Sequence, residues 1–338
     1  MNPLPRRLLV APHWLGDLVM ASSLVAGWKE CEPDRAVDLL VIPELAPVAR
    51  AIPGVDEVLV LPFGRGAWSP LRRGRFGRRL RGRYDGAVVL PRSWKSALVP
   101  WAARIPRRTG VAGEARWPLI NDARRPPPGG RSSPLRERFW TLATEPGVPP
   151  PDPLPAPRLC ASAPRGRAIL RAYGGGAGRW IALAPGAAYG PAKRWPARSY
   201  AALACALHAR GRRTVALGAE AERTLGETLA AAGSLNLCGR TTLDETLDVL
   251  AAAEAFVGND SGLLHVARAL GTPAVGVFGS SAPEATAPPG ARVVTRRVPC
   301  SPCFARVCRY GHTMCLRDLL PEAVEAALAP LLDAETAA

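Results

Sequence analysis

The sequence predicts an α/β protein made of two successive doubly wound domains. Apolar, β-rich runs alternate with helix-period runs from the start, as in βαβ units around a parallel sheet. That alternation fades in a proline-laden stretch, about 126 to 164, and resumes beyond it. The length of 338 residues, 48% hydrophobic and 21% charged, suits two domains better than one. These figures exclude wholesale disorder, and the 33 glycines and 36 prolines follow no three-residue period, which excludes collagen. No apolar run approaches the roughly 18 residues of a membrane span, and no repeat of 20 to 50 residues suggests a solenoid.

In chain order, RLLVAP (7–12), VDLLVIP (37–43), EVLVLP (57–62) and DGAVVLP (85–91) read as strands. Residues 17–31, 44–52, 75–84 and 93–105 read as helices or helical turns. The prolines of PPPGG (126–130) and GVPPPDPLPAP (147–157) favour an extended linker. WIALAPG (180–186), RTVALGA (213–219), AFVGND (255–260) and PAVGVFG (273–279) then restart the strand series. After Trp195, Pro196 suits a first helical turn, and Tyr200, Leu203, Ala204 and Leu207 keep the i, i+3, i+4, i+7 spacing of a buried face. The expected domains are 1–160 and 161–320, with ligands at the carboxyl ends of the strands.

The first residues imitate a signal peptide, with Arg6 and Arg7 ahead of an apolar run. Pro12, His13 and Asp17 interrupt that run, so a strand, turn and helix read better. Eight cysteines are too sparse for a disulfide scaffold, and without an export signal the thiols are expected to stay reduced in a cytosol. The net charge is +16, yet Arg65 to Arg138 holds 19 basic and 4 acidic residues and so carries almost all of it. An anion-facing surface therefore belongs to the first half: an anionic acceptor, an anionic membrane or a solvated arginine face. No recognised nucleic-acid module accompanies the charge.

Four constellations carry possible chemistry. Pro12-His13-Trp14-Leu15-Gly16-Asp17 joins the first strand to its helix; Asp17 there suits a general base or a plain helix cap. Residues 185–196, PGAAYGPAKRWP, form a glycine-rich turn in which Gly186 and its neighbours could offer N–H groups to a phosphate while Lys193 supplies a point charge. The turn matches neither common phosphate fingerprint, and an ordinary loop with a solvated lysine is the competing reading. Residues 258–267 again run strand, polar turn, helix. Asp260 or Ser261 would cap the helix, its first turn would bind an anion, and His265 adds a donor. Glu220, just past a strand, could accept from ribose hydroxyls or lie exposed. Lastly, Cys300, Cys303, Cys308 and Cys315, with His312 among them, could hold a structural zinc, form loop disulfides or remain free thiols.

Taken together, WLGDLVMASSL (14–24), residues 93–122, PGAAYGPAKRWP (185–196) and residues 258–283 resemble the ADP-heptose:lipopolysaccharide heptosyltransferases. The likeness runs from Leu8 to about Pro283, and the PGAxxGPAKRWP form is most similar to the heptosyltransferase II branch. The resemblance implies a GT-B architecture of two Rossmann-like domains facing a central cleft. The first would bind acceptor and the second ADP-heptose, with a final helix near 321–332 packing back on the first. It further implies inverting transfer of heptose from ADP-L-glycero-D-manno-heptose to the first heptose of the Kdo–lipid A core, with no cofactor or catalytic metal. The enzyme would work peripherally at the cytosolic face of a Gram-negative inner membrane, with no nucleic-acid partner. Matched positions make Asp17 the base and Lys193 the partner of the leaving diphosphate. Gly186, Glu220, Asp260, Ser261, Gly262, Leu263 and His265 would hold the nucleotide sugar, and Arg92, Lys95 and Arg116 the acceptor. Where heptosyltransferase I-like sequences carry paired hydroxyl residues, this chain has Ala188 and Tyr189. Heptosyltransferase I, a later heptosyltransferase, or a non-catalytic nucleotide- or anionic-lipid-binding module are the alternatives.

Overall fold

The computed structural model describes residues 5–125 and 133–334. The chain divides into two compact units, 1–159 and 160–338. The PPPGG segment of the expected linker lies outside the described residues.

The first unit runs β1 (Arg6–Val10), α1 (Leu15–Cys31), β2 (Ala36–Val41), α2 (Ala46–Arg50), β3 (Glu57–Val60), α3 (Pro70–Arg78), β4 (Gly86–Val89), α4 (Leu98–Ala102), β5 (Arg107–Val111), β6 (Asp122–Arg124) and α5 (Leu135–Ala143). Its strands form one parallel sheet in the order β3-β2-β1-β4-β5-β6. Leu8, Leu9, Leu39 and Val89 are fully enclosed, the continuous apolar pattern of strands covered by helices on both faces. One charge breaks that pattern. Asp38 in β2 is fully buried, gripped by Arg6 through two 2.8 Å hydrogen bonds and by the Tyr84 hydroxyl at 2.7 Å, so the buried polar group has its hydrogen-bond partners.

Two expectations are corrected in this unit. Residues 75–84 are helical only as far as Arg78; α3 begins five residues earlier, where Pro70 fits the first turn, and has ended before Gly82, which takes φ +73°. The stretch taken as extended linker also contains α5, whose Phe139, Trp140 and Leu142 are buried. The Trp140 indole donates to Ser23 Oγ at 3.3 Å and lies over Gly27 of α1, so apolar burial overrides the local proline content.

The second unit comprises α6 (Ala163–Ala172), β7 (Trp180–Ala184), α7 (Ala197–Ala209), β8 (Arg213–Ala216), α8 (Arg223–Ala230), β9 (Leu235–Asn236) and α9 (Leu243–Ala252). β10 (Ala255–Asn259), α10 (Gly262–Ala269), β11 (Ala274–Phe278), α11 (Pro283–Thr286), β12 (Arg292–Thr295), α12 (Met314–Arg317) and α13 (Pro321–Ala334) complete it. The sheet is parallel, in the order β12-β11-β10-β7-β8-β9. Counted from its own first strand this is the order of the first unit, with the switch of direction between β7 and β10. Tyr200, Leu203, Ala204 and Leu207 are all buried, as their spacing predicts. Val324, Leu328 and Leu332 of the final helix, α13, enter the core that holds Trp195, Leu203, Val257 and Val275, so these side chains are enclosed within the second unit.

Candidate active site

Both sheets place their candidate residues on the two strands that flank the switch point. In the first unit the turn after β1 carries His13 to Asp17 and the turn after β4 carries Arg92 to Lys95. In the second, the turn after β7 carries Gly186 to Lys193 and the turn after β10 carries Asp260 to His265. A doubly wound sheet opens a crevice at those strand ends, where helix N-termini converge.

Trp14, not Asp17, occupies the N-cap of α1, and it makes no side-chain capping bond. Asp17 sits half-buried within the first turn, where the helix dipole favours the ionised carboxylate. Around it the chain is basic. Arg65 donates to the His13 carbonyl at 2.6 Å and stands 4.2 Å from the Trp14 ring centre, and Lys95 Nζ donates to Gly66 O at 3.0 Å. Burial, then Arg73, Lys95 and Arg65, hold the His13 imidazole below its ordinary range. Arg92 is exposed beside this group. Arg116 is not available to an acceptor: it is 1% exposed, and its guanidinium donates to the carbonyls of Val111 (2.7 and 3.1 Å) and Pro91 (2.6 Å). The basic belt divides accordingly. Arg73 and Arg108 tie backbone carbonyls internally, while Arg72, Arg75, Arg78, Arg79 and Arg81 are exposed.

In the second unit Lys193 and Asp260 meet. Lys193 Nζ donates to Asp260 Oδ2 at 2.5 Å, with the two side chains 15% and 4% exposed. Burial alone would raise the Asp260 carboxyl, but Lys193 outweighs it and holds the group below its usual range. Thr286 Oγ1 donates to the same oxygen at 3.3 Å. His265, one turn into α10, is enclosed; burial pushes its imidazole down to about 4, with Asp260 pulling upward and Lys193 pushing further down. Its Nδ1 has no hydrogen-bond partner, nor has the buried hydroxyl of Ser280, while Ser281 adds its hydroxyl to the groups that hold the Asp260 carboxyl down. Ser261 is the N-cap of α10, yet neither it nor Asp260 caps the helix with a side chain. Gly262 and Leu263 therefore present the first N–H groups of an uncapped helix beside a lysine, an arrangement suited to an anion.

Two residues with no role in the sequence reading organise this site. Asn259 is fully buried: its amide donates to Pro185 O and Gly186 O at 2.9 and 3.0 Å, while its oxygen accepts from Trp195 N and Tyr200 Oη. It thus joins the turn after β7 to the end of β10. Glu222, not Glu220, faces the glycine-rich turn. It folds back to accept from Ala219 N at 2.9 Å, and a side chain on Gly186 would collide with its carboxylate. Glu220 is 69% exposed and paired with Arg223. Its two-residue separation from Glu222 within one 3-10 turn explains why spacing alone did not choose between them.

The four clustered cysteines come together: Cys300, Cys303 and Cys308 lie near enough to Cys315 to add to the burial that raises its thiol. Cys300 Sγ lies 4.0 Å from His312 Nε2, and among the described residues no three His, Cys, Asp or Glu side chains converge as metal ligands. All eight cysteines are free thiols. No described helix is long and apolar enough to cross a membrane.

Comparison with known proteins identifies the family and the fold. Residues 73–314 match the model of glycosyltransferase family 9 (heptosyltransferase). The chain is 40% identical over 296 residues to lipopolysaccharide heptosyltransferase 2 of Salmonella typhimurium, covering 83% of this chain and 84% of that protein. It is 38% identical to the Escherichia coli lipopolysaccharide heptosyltransferase 2 with the same coverage. The solved structure of the Escherichia coli ADP-heptose lps heptosyltransferase II superposes with a TM-score of 0.84 at 34% identity, covering 98% of this chain and 99% of that one. The two-sheet α/β architecture is thus that of the GT-B heptosyltransferases.

Proposed function

Because the chain belongs to glycosyltransferase family 9, the heptosyltransferases, we propose that it transfers heptose from ADP-L-glycero-D-manno-heptose to the first heptose of the lipopolysaccharide inner core, with inversion at the anomeric carbon. The observation that carries this reading is the Lys193–Asp260 pair beside the uncapped start of α10, at the switch point of the second sheet. A diphosphate entering there meets a cation and a row of free N–H groups, and Asp260 holds Lys193 in place until it arrives. Gly186 allows the turn after β7 to approach closely, and the role expected of Glu220 passes to Glu222, whose carboxylate is placed to accept from ribose hydroxyls. His265, neutral and with a bare Nδ1, supplies one further contact to the sugar phosphate.

On the acceptor side Asp17 takes the proton from the attacking hydroxyl. That oxygen bonds to the anomeric carbon as the bond to the ADP oxygen breaks on the opposite face, and Lys193 and the α10 N-terminus stabilise the charge gathering on ADP. Lys95 and Arg92 are left to meet the anionic acceptor. The acceptor is lipid-borne, so the exposed Trp68, stacked on Trp94 at 5.8 Å, the exposed Leu71 and the arginines of α3 support a peripheral position on an anionic cytosolic membrane surface. The chemistry assigned to these residues calls for no added cofactor.

The test is ADP release with ADP-heptose and Kdo–lipid A bearing one heptose or none. Turnover confined to the heptosylated acceptor supports the reading; turnover only on the bare acceptor makes the protein a heptosyltransferase I, and silence on both overturns the assignment. Asp17→Ala is expected to lower kcat by about 10² to 10⁴ while isothermal titration still measures ADP binding. Near-normal turnover by that variant would remove Asp17 as base.

A further inference from the structure

The segment between β12 and α12 lacks regular structure, yet it is tied to two of the turns that build the donor site. Ser301 Oγ donates to Gly279 O at 2.6 Å, and the N–H groups of Cys303 and Phe304 both point at Ser280 O, at 3.1 and 2.7 Å. These bonds fix it to the turn after β11. Two residues further on, it grips the turn after β7. The Arg306 carbonyl accepts from Ala192 N at 3.1 Å, Arg306 Nε donates to Tyr189 O at 2.8 Å, and the Tyr189 hydroxyl donates to Phe304 O at 2.9 Å. Gly190, at φ +159°, lies so near the Arg306 carbonyl that a side chain there would overlap it. Lys193 Nζ stands 5.1 Å from the centre of the Tyr189 ring and the Arg306 guanidinium 5.7 Å from it.

We infer that residues 301–306 form a strap that sets the position of Lys193, with Tyr189 and Arg306 as positioning residues for the transfer. The inference rests on the reading of Lys193 as partner of the leaving diphosphate. The turn Pro191–Lys193 is a single 3-10 turn, too short to fix its own orientation. The strap supplies three hydrogen bonds to Tyr189 and Ala192, on the residues that lead into the lysine. A diphosphate that draws Lys193 away from Asp260 leaves the ammonium needing a second support, and the ring of Tyr189 provides one by cation–π attraction. Charge on the diphosphate grows as its bond to the sugar breaks, so a displaced Lys193 loses rate more than affinity for the intact donor.

The experiment compares Arg306→Ala, Arg306→Lys, Tyr189→Leu and Tyr189→Phe in the full-length protein with ADP-heptose and the heptosylated acceptor. Arg306→Ala and Tyr189→Leu are expected to lower kcat about tenfold to a hundredfold, since misplacements near 1 Å cost on that order, with KM for ADP-heptose within about threefold and an unchanged thermal midpoint. Arg306→Lys, which can restore one donor to the Tyr189 carbonyl, recovers part of the loss, and Tyr189→Phe, which keeps the ring, loses less than Tyr189→Leu. Arg309→Ala, an exposed neighbour, serves as the control at wild-type rate. Wild-type kcat in both Arg306→Ala and Tyr189→Leu, or losses that follow a fall in thermal midpoint without rescue by lysine, would overturn the strap. Lys193→Ala separates the two claims. Full turnover by that variant refutes the reading of Lys193, whereas its loss alongside intact Arg306 and Tyr189 variants refutes the strap alone.

Discussion

At the scale of single residues, the proposed donor site rests on one pair of opposed charges, Lys193 and Asp260, held in a largely buried setting. Lys193 is held by one carboxylate and one ring, so Lys193→Gln removes the only ammonium at the turn while keeping most of its length. Its kcat is expected to fall about 10² to 10³, the usual loss for one electrostatic stabiliser, measured by ADP release under saturating donor. His265 yields a prediction about stability. Its imidazole is held neutral by burial down to about 4, against an ordinary value near 6.5 in the unfolded chain. Between those two values the unfolded state binds the extra proton, so stability is full above pH 6.5 and declines as pH falls toward 4. The loss amounts to about 3 kcal/mol at most. Urea denaturation across pH 4 to 7 should show that slope in the wild type and a flatter one in His265→Gln. The same residues also mark what was legible in the sequence. Asp260 and Lys193 announced themselves through a polar turn after a strand and a rare lysine. Asn259 did not, because a buried amide that links two loops has no spacing signature, and Arg116 misled because an arginine drawn inward reads like one on the surface.

At the scale of elements, helix-to-helix approach sets the tolerance to change. Gly166 of α6 lies against the backbone of Asp248 in α9, and a Cβ there would also come within 2.9 Å of the Ala252 Cβ. Alanine in a helix interior ordinarily favours the helix by about 1 kcal/mol over glycine. Gly166→Ala is expected to do the reverse and destabilise by about 1 to 3 kcal/mol, read as a lower urea midpoint with an unchanged slope. Strands buried on both faces were readable as apolar runs. The strands β5 and β6 were not: Arg107 pairs with Asp122 and Glu145, Arg124 with Asp122, and this charged edge looks like a loop in sequence. Helix α13 was expected near 321–332 from the family resemblance alone, which carries the helix but not the surface that buries it.

At the scale of the whole molecule, charge and exposed aromatics concentrate in the first unit. Trp68 and Leu71 are 58% and 75% exposed, among arginines that few carboxylates neutralise. Vesicles containing phosphatidylglycerol should therefore sediment the protein at low salt and release it as ionic strength shortens the Debye length from about 30 Å at 0.01 M to 8 Å at 0.15 M. Trp68→Ser with Leu71→Ser should weaken sedimentation. ADP binding in the same double variant should match the wild type. The course of α13 adds a different consequence. Its leucines and valine give the second unit a core around Trp195 built from residues within 160–334. Severed after Leu159, that unit should behave as a self-sufficient minidomain: a reagent that melts cooperatively, binds ADP, and reports nucleotide affinity with no acceptor chemistry attached.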